Sequence, residues 1–346
     1  MMQLDRSFYK GKRVLVTGHT GFIGSWITKW LLMLGADVCG YALRPPTEPN
    51  LYSVLSLEKG IRDVNGNILD QEKLDRCIRD FSPEIVFHLA AQPLVLESIE
   101  NPVETINTNV MGTANLLNSL RGSGSVRAIV VFTSDKVYRN LETGRPFLEE
   151  DPLGGRDPYS ASKSCQDIVS NSFRETYFND LGVKLSSVRA GNVIGGGDWA
   201  TNRIVPDIVR SITSGIPIKL RNPNAVRPWQ HVLEPVRGIL LLAQKMWHDS
   251  TYASDWNLGP DVDMSMTVEE LTKEIIKEWG DGKYLIERGS LDKESKTLRL
   301  DVSKSNIIQD QRESLDLINT IKLTIQWYKT YYSSPSMIGN LLLCQF

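Results

Sequence analysis

The sequence predicts an α/β fold, a doubly wound parallel sheet of the Rossmann type, followed by a smaller mixed α/β lobe. Three observations carry that expectation. Short apolar, β-branched runs alternate with stretches of helical periodicity from residue 13 to about 190. The first run passes directly into the turn Gly18-His19-Thr20-Gly21-Phe22-Ile23-Gly24. Beyond Asn192 the alternation stops, and short strands mix with separate helices.

Residues 13–16 read as a buried strand. Trp26, Ile27, Trp30, Leu31 and Leu34 then recur at helical spacing, with Gly35 just past the end. In a strand–turn–helix the first glycine permits a tight turn, the second lets a pyrophosphate approach the backbone, and the third lets helix and strand pack closely. The helix start then offers N–H groups to the phosphates. Nucleotide binding is therefore expected at Gly18, His19, Thr20, Gly21, Phe22, Ile23 and Gly24. A second strand, 37–43, ends at Arg44-Pro45-Pro46. Arg44 lies 20 residues past Gly24, where an acidic residue would hold the adenosine ribose; it can face a 2′-phosphate or be plain surface. A third strand, 61–68, ends in Asn67-Ile68, where an adenine edge could be met. Asp70 caps a helix through Phe81.

The run 84–91 is nearly all apolar, as in a strand buried on both faces. Its end, Leu89-Ala90-Ala91-Gln92, leaves room for a flat ligand. A helix over 102–120, a strand over 127–132, a helix over 159–181 and a strand over 183–190 follow. Gly18, Gln92, Ser134 and Asn192 all fall at strand carboxyl ends, where ligands sit on such sheets. Later come a loop at 195–199, a helix at 203–214, a strand at 217–220 and a helix at 233–247, then helical pieces at 267–279, 302–307 and 315–331. The division expected is a dinucleotide-binding domain, 1–190, with 232–260 packing back on it, and a substrate lobe from 191–231 and 261–346.

A net charge of −2 over 346 residues gives no electrostatic reason to expect a nucleic-acid or membrane partner. Cys39, Cys77, Cys165 and Cys344 are scattered without a CxxC pair, which reads as reduced thiols. Residues 1–12 lack the apolar core of a signal peptide, and the apolar run at 337–344 is too short to span a bilayer. A cytoplasmic protein is expected. No His, Cys, Asp and Glu cluster has metal-ligand spacing, so no metal is expected.

Tyr159 and Lys163 stand at i and i+4 on one predicted helix. A free phenol is a poor base at neutral pH; an adjacent cation brings it toward the phenolate that could take a proton from a sugar hydroxyl. Ser134, ending the preceding strand, could share that proton. Asp135 and Lys136 follow at once. Two neighbouring groups able to give and take protons exceed what an oxidation needs, but would allow water to be removed across adjacent carbons. A solvated Asp-Lys pair is the plainer reading.

These residues, with the runs Gly18-His19-Thr20-Gly21-Phe22, His88 to Val95, Thr133 to Tyr138, Arg189 to Trp199 and Arg221 to Val232, resemble the extended short-chain dehydrogenase/reductase family of nucleotide-sugar enzymes. The Ser-Asp-Lys triplet and the last two runs resemble most the branch of 4,6-dehydratases that takes CDP-glucose. The resemblance implies NAD as cofactor and a closed redox cycle. Tyr159, helped by Ser134 and Lys163, would remove the O4 proton as NAD takes hydride from C4. Lys136 would take the C5 proton, Asp135 would protonate the leaving O6, and the transient NADH would return its hydride to C6. It also implies substrate contacts from Gln92, Ser134, Asn192, Arg203, Arg227 and His231, a homodimer or homotetramer built on the helices near 102–120 and 159–181, and a place in dideoxysugar synthesis for surface polysaccharide such as lipopolysaccharide O-antigen. A 4-epimerase on the same fold, or a non-catalytic NAD-binding scaffold, are the alternatives. The Gly-Trp-x-Pro turn expected of the family between 306 and 317 is absent from the sequence.

Overall fold

A computed structural model describes residues 4–142, 144–260, 264–287, 298–309 and 315–338. Seven strands form the central sheet: β1 (Arg13–Thr17), β2 (Asp37–Ala42), β3 (Arg62–Asn65), β4 (Ile85–His88), β5 (Ala128–Phe132), β6 (Lys184–Ala190) and, after three short strands outside it, β10 (Asp255–Leu258). Their order is β10-β6-β5-β4-β1-β2-β3, and every pairing is parallel. In the register Thr17 sits beside both Tyr41 and His88, so the ends of β1, β2 and β4 are level.

The near-continuous apolar character of these strands follows from helices on both faces. Val14, Val16, Phe87, Val130 and Val188 pack on one face against Trp26, Ile27 and Leu31 of the first helix and against Leu240 and Ala243. Leu15, Cys39, Val86, Ile129 and Leu185 pack on the other against Leu74, Ile78, Leu116, Leu117 and Phe178. The helix Leu233–His248 is buried on nearly all sides, and a Cβ on its Gly238 would come within 2.7 Å of Leu258 in β10.

Two expected long helices carry an irregularity that periodicity does not announce. The first runs as Pro102–Ile106, a π turn at Asn107–Met111, then Gly112–Arg121; the second as Pro158–Phe173 followed by a π turn at Arg174–Phe178. The extra residue in the first π turn brings Asn109 inward, where it is fully buried.

Past Asn192 the loop at 195–199 and the strand near 217–220 stand as expected, but the sequence reading misses further short strands around them. Residues Asn192–Ile194 form β7, which pairs in parallel with β9 (Val226–His231), itself antiparallel to β11 (Ser265–Thr267). A separate pair joins β8 (Ile218–Leu220) to β12 (Tyr284–Ile286). These strands are three to six residues long, too short for alternation to show. The helix expected at 302–307 lies instead at Asn306–Gln309, and a capping box of Thr267 and Glu270 starts the helix Val268–Trp279. The last helix, Leu317–Ser333, packs Trp327 onto the run Gly195-Gly196-Gly197; a Cβ on Gly196 would lie 2.0 Å from Trp327 Cγ. Tyr328 Oη donates to the Asp198 carbonyl (2.5 Å) and accepts from its N–H (3.1 Å). Part of the apolar run at 337–344 lies outside the described residues. Among the described residues no helix is long and apolar enough to cross a membrane.

Candidate active site

The glycine turn leaves β1 with Gly18 at φ +76°, in the left-handed region. A Cβ on Gly18 would lie 2.6 Å from the N of Ala90, and one on Gly24 would lie 2.0 Å from the Gly18 carbonyl oxygen. Gly21 differs: its Cβ would meet nothing nearer than 3.4 Å, and the helix that follows has no side-chain cap. Two glycines therefore serve close packing, while the middle one leaves an open approach to an uncapped helix start. That cradle fits a dinucleotide pyrophosphate.

The other expected nucleotide contacts are spread more widely. Phe22 and Ile23 are half-buried at the helix start, and Thr20 Oγ1 donates to the Leu43 carbonyl (2.9 Å). The His19 ring is fully buried behind the turn against Gly40 and Tyr52, with Nε2 2.9 Å from Asp63. Burial lowers its pKa, with Asp63 opposing. Arg44 is exposed just beyond β2. Asn67 is exposed and accepts at its carbonyl from Tyr41 Oη (3.0 Å), whereas Ile68 is buried against Gly112. Leu89, Ala90, Ala91 and Gln92 line the end of β4, half-buried. The Gln92 carboxamide bonds Leu94 and Thr105, so the side chain holds its own loop.

The ends of β5 and β6 bring the proton-transfer groups together. Ser134 Oγ accepts from the Lys136 N–H (3.2 Å) and donates to Asp135 Oδ1 (3.1 Å). Lys136 Nζ lies 3.6 Å from the same carboxylate oxygen. Asp135 is 3% exposed, and its Oδ2 is buried without a partner, pointing to where Gly191 has no side chain; a Cβ there would be 3.3 Å away. Tyr159 and Lys163 lie one turn apart on the helix Pro158–Phe173, which Asp157 caps through the Ser160 N–H (2.9 Å). Burial raises the Tyr159 pKa; Lys136, the Ser134 hydrogen bond and Arg203 pull it down, and Asp135 pushes it up. Lys136 is thus the largest cation acting on the phenol. Lys163, buried, is itself brought down to about 7, with Asp167 opposing, and its Nζ donates to Gln166 Oε1 (2.8 Å).

Asn192, at the start of β7, has a buried Nδ2 without a partner. Arg203 Nη1 pairs with Asp198 (3.0 Å) within reach of the Tyr159 charge. Arg227 is buried in β9, donating to the Val226 carbonyl (2.9 Å). His231 stands apart from this group: its ring lies in the core 6.4 Å from Trp26, and burial brings it down to about 4. Among the described residues no three His, Cys, Asp or Glu side chains form a group able to hold a metal.

Several supporting residues escape a reading by local spacing. Asn109 Oδ1 accepts from the Gln92 N–H (2.8 Å), and its Nδ2 donates to the Gln92 carbonyl (3.1 Å) and to Ser162 (2.8 Å). Arg189 of β6, almost fully buried, forks onto Asp167 (2.8 and 2.9 Å) and donates to Tyr138 Oη (2.8 Å) and the Glu149 carbonyl (2.7 Å). Thr133 donates to that same Asp167 (3.3 Å), so the buried ion pair anchors both sides of the Ser134-Asp135-Lys136 turn. The polar residues in the middle of the 102–121 helix were the available signal for Asn109. Asp167 and Arg189 gave none, because their partners are distant in sequence.

The family model described as GDP-mannose 4,6 dehydratase matches residues 15–331. A CDP-glucose 4,6-dehydratase of Salmonella typhimurium is 44% identical over 342 residues, covering 97% of this chain and 95% of the relative. Among solved structures, the UDP-glucose 4-epimerase of Thermotoga maritima superposes with a TM-score of 0.81 at 24% identity, covering 93% of this chain and 100% of the other. The dTDP-glucose 4,6-dehydratase of Bacillus anthracis, solved in complex with NAD, gives 0.77 at 23% identity, covering 96% and 100%. The two structural likenesses establish a shared fold. With a family model spanning most of its length and a 44% identical relative matched nearly end to end, this chain belongs to the GDP-mannose 4,6 dehydratase family of extended short-chain dehydrogenases/reductases.

Proposed function

We propose that this protein is an NAD-dependent CDP-glucose 4,6-dehydratase, a hydro-lyase that turns CDP-glucose into CDP-4-dehydro-6-deoxyglucose and water. The carrying observation is the buried Asp135 carboxylate, with one oxygen unpartnered, paired with Lys136 beside Tyr159. A 4-epimerase has no use for such a pair. Full-length likeness to the Salmonella relative supports the cytidine nucleotide and the reaction.

Gly18, Gly21 and Gly24 would hold the cofactor pyrophosphate, with Leu89 to Gln92 along its edge and Lys163 at its nicotinamide ribose. NAD, when bound, supplies the oxidation at C4 and the matching reduction at C6. The protein's own side chains do the rest. Tyr159, its proton affinity lowered by Lys136 and Ser134 against the effect of burial, takes the proton from O4. The ketone at C4 acidifies C5–H, and Lys136 as the free amine removes that proton. Asp135, having first taken the ammonium proton of Lys136 across their 3.6 Å contact and so left Lys136 as the free amine, delivers that proton to O6, which leaves as water. Asn192, Arg203 and Arg227 bind the nucleotide diphosphate and sugar, the guanidiniums matching phosphate oxygens in pairs. Residues 1–190 with 232–260 form the nucleotide-binding unit, and the remainder the substrate lobe.

Val103, Ile106, Met111 and Ile168 are exposed on the helices around 102–121 and 158–173, with Val103 at 69%. An apolar group of this kind supports a homodimer, or a homotetramer of such pairs, in the cytoplasm. A keto-deoxy nucleotide sugar is a precursor for dideoxysugar synthesis in lipopolysaccharide O-antigen.

The test offers CDP-, dTDP-, GDP- and UDP-glucose separately with NAD. The 4-keto-6-deoxy product, scored by its absorbance in alkali, should form from CDP-glucose at least tenfold faster than from the others. Formation of the C4 epimer without loss of water would overturn the reading.

A further inference from the structure

Lys163 opens a row of buried polar side chains that the reaction above does not use. Its Nζ donates to Gln166 Oε1 (2.8 Å), and Gln166 Nε2 donates to Thr113 Oγ1 (2.9 Å). His88 Nε2 lies 2.9 Å from the same hydroxyl, and His88 Nδ1 lies 2.7 Å from Thr17 Oγ1. Thr17 Oγ1 in turn accepts from the N–H of Ala90 (3.3 Å), at the lip of the nucleotide site. His88, Thr113, Gln166 and Thr17 are all fully buried.

One bond fixes the direction of every other. The Thr113 hydroxyl has a single hydrogen, and it goes to the Asn109 carbonyl (2.7 Å). Its lone pairs must then accept from Gln166 Nε2 and from His88 Nε2–H. The Gln166 carboxamide is thereby oriented with its oxygen toward Lys163, and His88 is fixed as the neutral Nε2–H tautomer, with Nδ1 accepting from the Thr17 hydroxyl. Burial, with Lys163 adding to it, brings His88 down to about 3, so the ring stays neutral throughout the working range. The row is continuous from Lys163 to Thr17, each side chain bonded to the next.

We propose that Gln166, oriented through Thr113 and His88, is the positioning residue that fixes the ammonium of Lys163 and helps it keep its proton; this rests on the role given to Lys163 above. The ammonium loses its hydration on burial, and the amide oxygen of Gln166 replaces part of it. The other groups set against Lys163 are Asp167 from its own helix, the neutral His88 of β4 and the Phe132 carbonyl at 3.5 Å, with Tyr159 one turn away on the same helix. Arg189 of β6 reaches the same region only through Asp167, which it neutralises. The helices 95–100 and 102–121 present the uncharged Ser98, Asn109 and Thr113. Gln166 is therefore the neutral acceptor whose replacement changes the ammonium without disturbing a charge pair.

The experiment follows kcat/KM for CDP-glucose against pH, at saturating NAD, in wild type, Gln166→Leu and Gln166→Glu. Leu removes the acceptor, so the alkaline limb should move to lower pH by about one unit; Glu keeps an acceptor and adds a negative charge, so it should move up by about one unit. A purely structural role lowers activity at every pH without moving the limb, and limbs superimposed on wild type would overturn the proposal. In parallel, 15N NMR of wild-type protein labelled at histidine should show His88 as the Nε2–H tautomer from pH 5 to 9. An Nδ1–H or titrating His88 would also overturn it, whether or not either variant folds. Failure of wild type to dehydrate CDP-glucose would defeat the proposed function alone, because the tautomer needs no substrate.

Discussion

Asp135 and Lys136 show how one adjacent pair can divide its work. The carboxylate is buried, held through one oxygen by Ser134 and with the other unpartnered; the amine is part-exposed and acts electrostatically on Tyr159. Replacing Lys136 by alanine should lower product formation by about 10²–10⁴-fold. It should also abolish uptake of solvent deuterium at C5, read by NMR of the recovered sugar. Retained exchange at C5 would place the base elsewhere. Tyr159, Lys163 and the triplet 134–136 were legible in the sequence because their relation is local: one helical turn, or adjacency. The buried Arg189–Asp167 pair was not, since its partners come from a strand and a helix 22 residues apart. Leaving Asp167 without its cation by Arg189→Met should cost about 3–5 kcal/mol in denaturant unfolding. A cost under 1 kcal/mol would mean the pair does not anchor the turn.

At the scale of elements, strand–turn–helix units were legible because a buried parallel strand leaves an unbroken apolar run. The π turn at Asn107–Met111 was not, because it adds one residue to an otherwise helical pattern and changes only which side chain points inward. Strands β7, β9 and β11 escaped for a different reason. Each is short and gains its stability from neighbours distant in the chain. The run Gly195-Gly196-Gly197 reads from sequence as a loop, and the structure adds a packing cause in the Trp327 ring on Gly196. Trp327→Ala should therefore destabilise the protein by about 3–5 kcal/mol. Gly196→Ala should cost about 1–3 kcal/mol by overpacking. Both would appear as a lowered midpoint in thermal unfolding; a Gly196→Ala protein as stable as wild type would show that the contact is not close-packed.

Across the whole molecule, one apolar core runs from Val14 and Trp26 through Leu240 to Ile321, Trp327 and Tyr328. The first and last helices thus share an interior, although a long stretch of chain separates them. The return of the chain through the helix Leu233–His248 and β10 completes the sheet that the N-terminal segment begins. The exposed apolar positions Val103 and Ile168 lie outside that core. The double substitution Val103→Glu, Ile168→Glu should reduce the sedimenting species to a monomer if those helices form the subunit contact; an unchanged sedimentation coefficient would place the contact elsewhere.

The central claim is that a single pocket oxidises the hexose, removes water and reduces it again before release. CDP-glucose carrying deuterium at C4 tests it most directly. Active enzyme should give CDP-4-dehydro-6-deoxyglucose with that deuterium on C6. Product formed at full rate with no label on C6 would contradict the account.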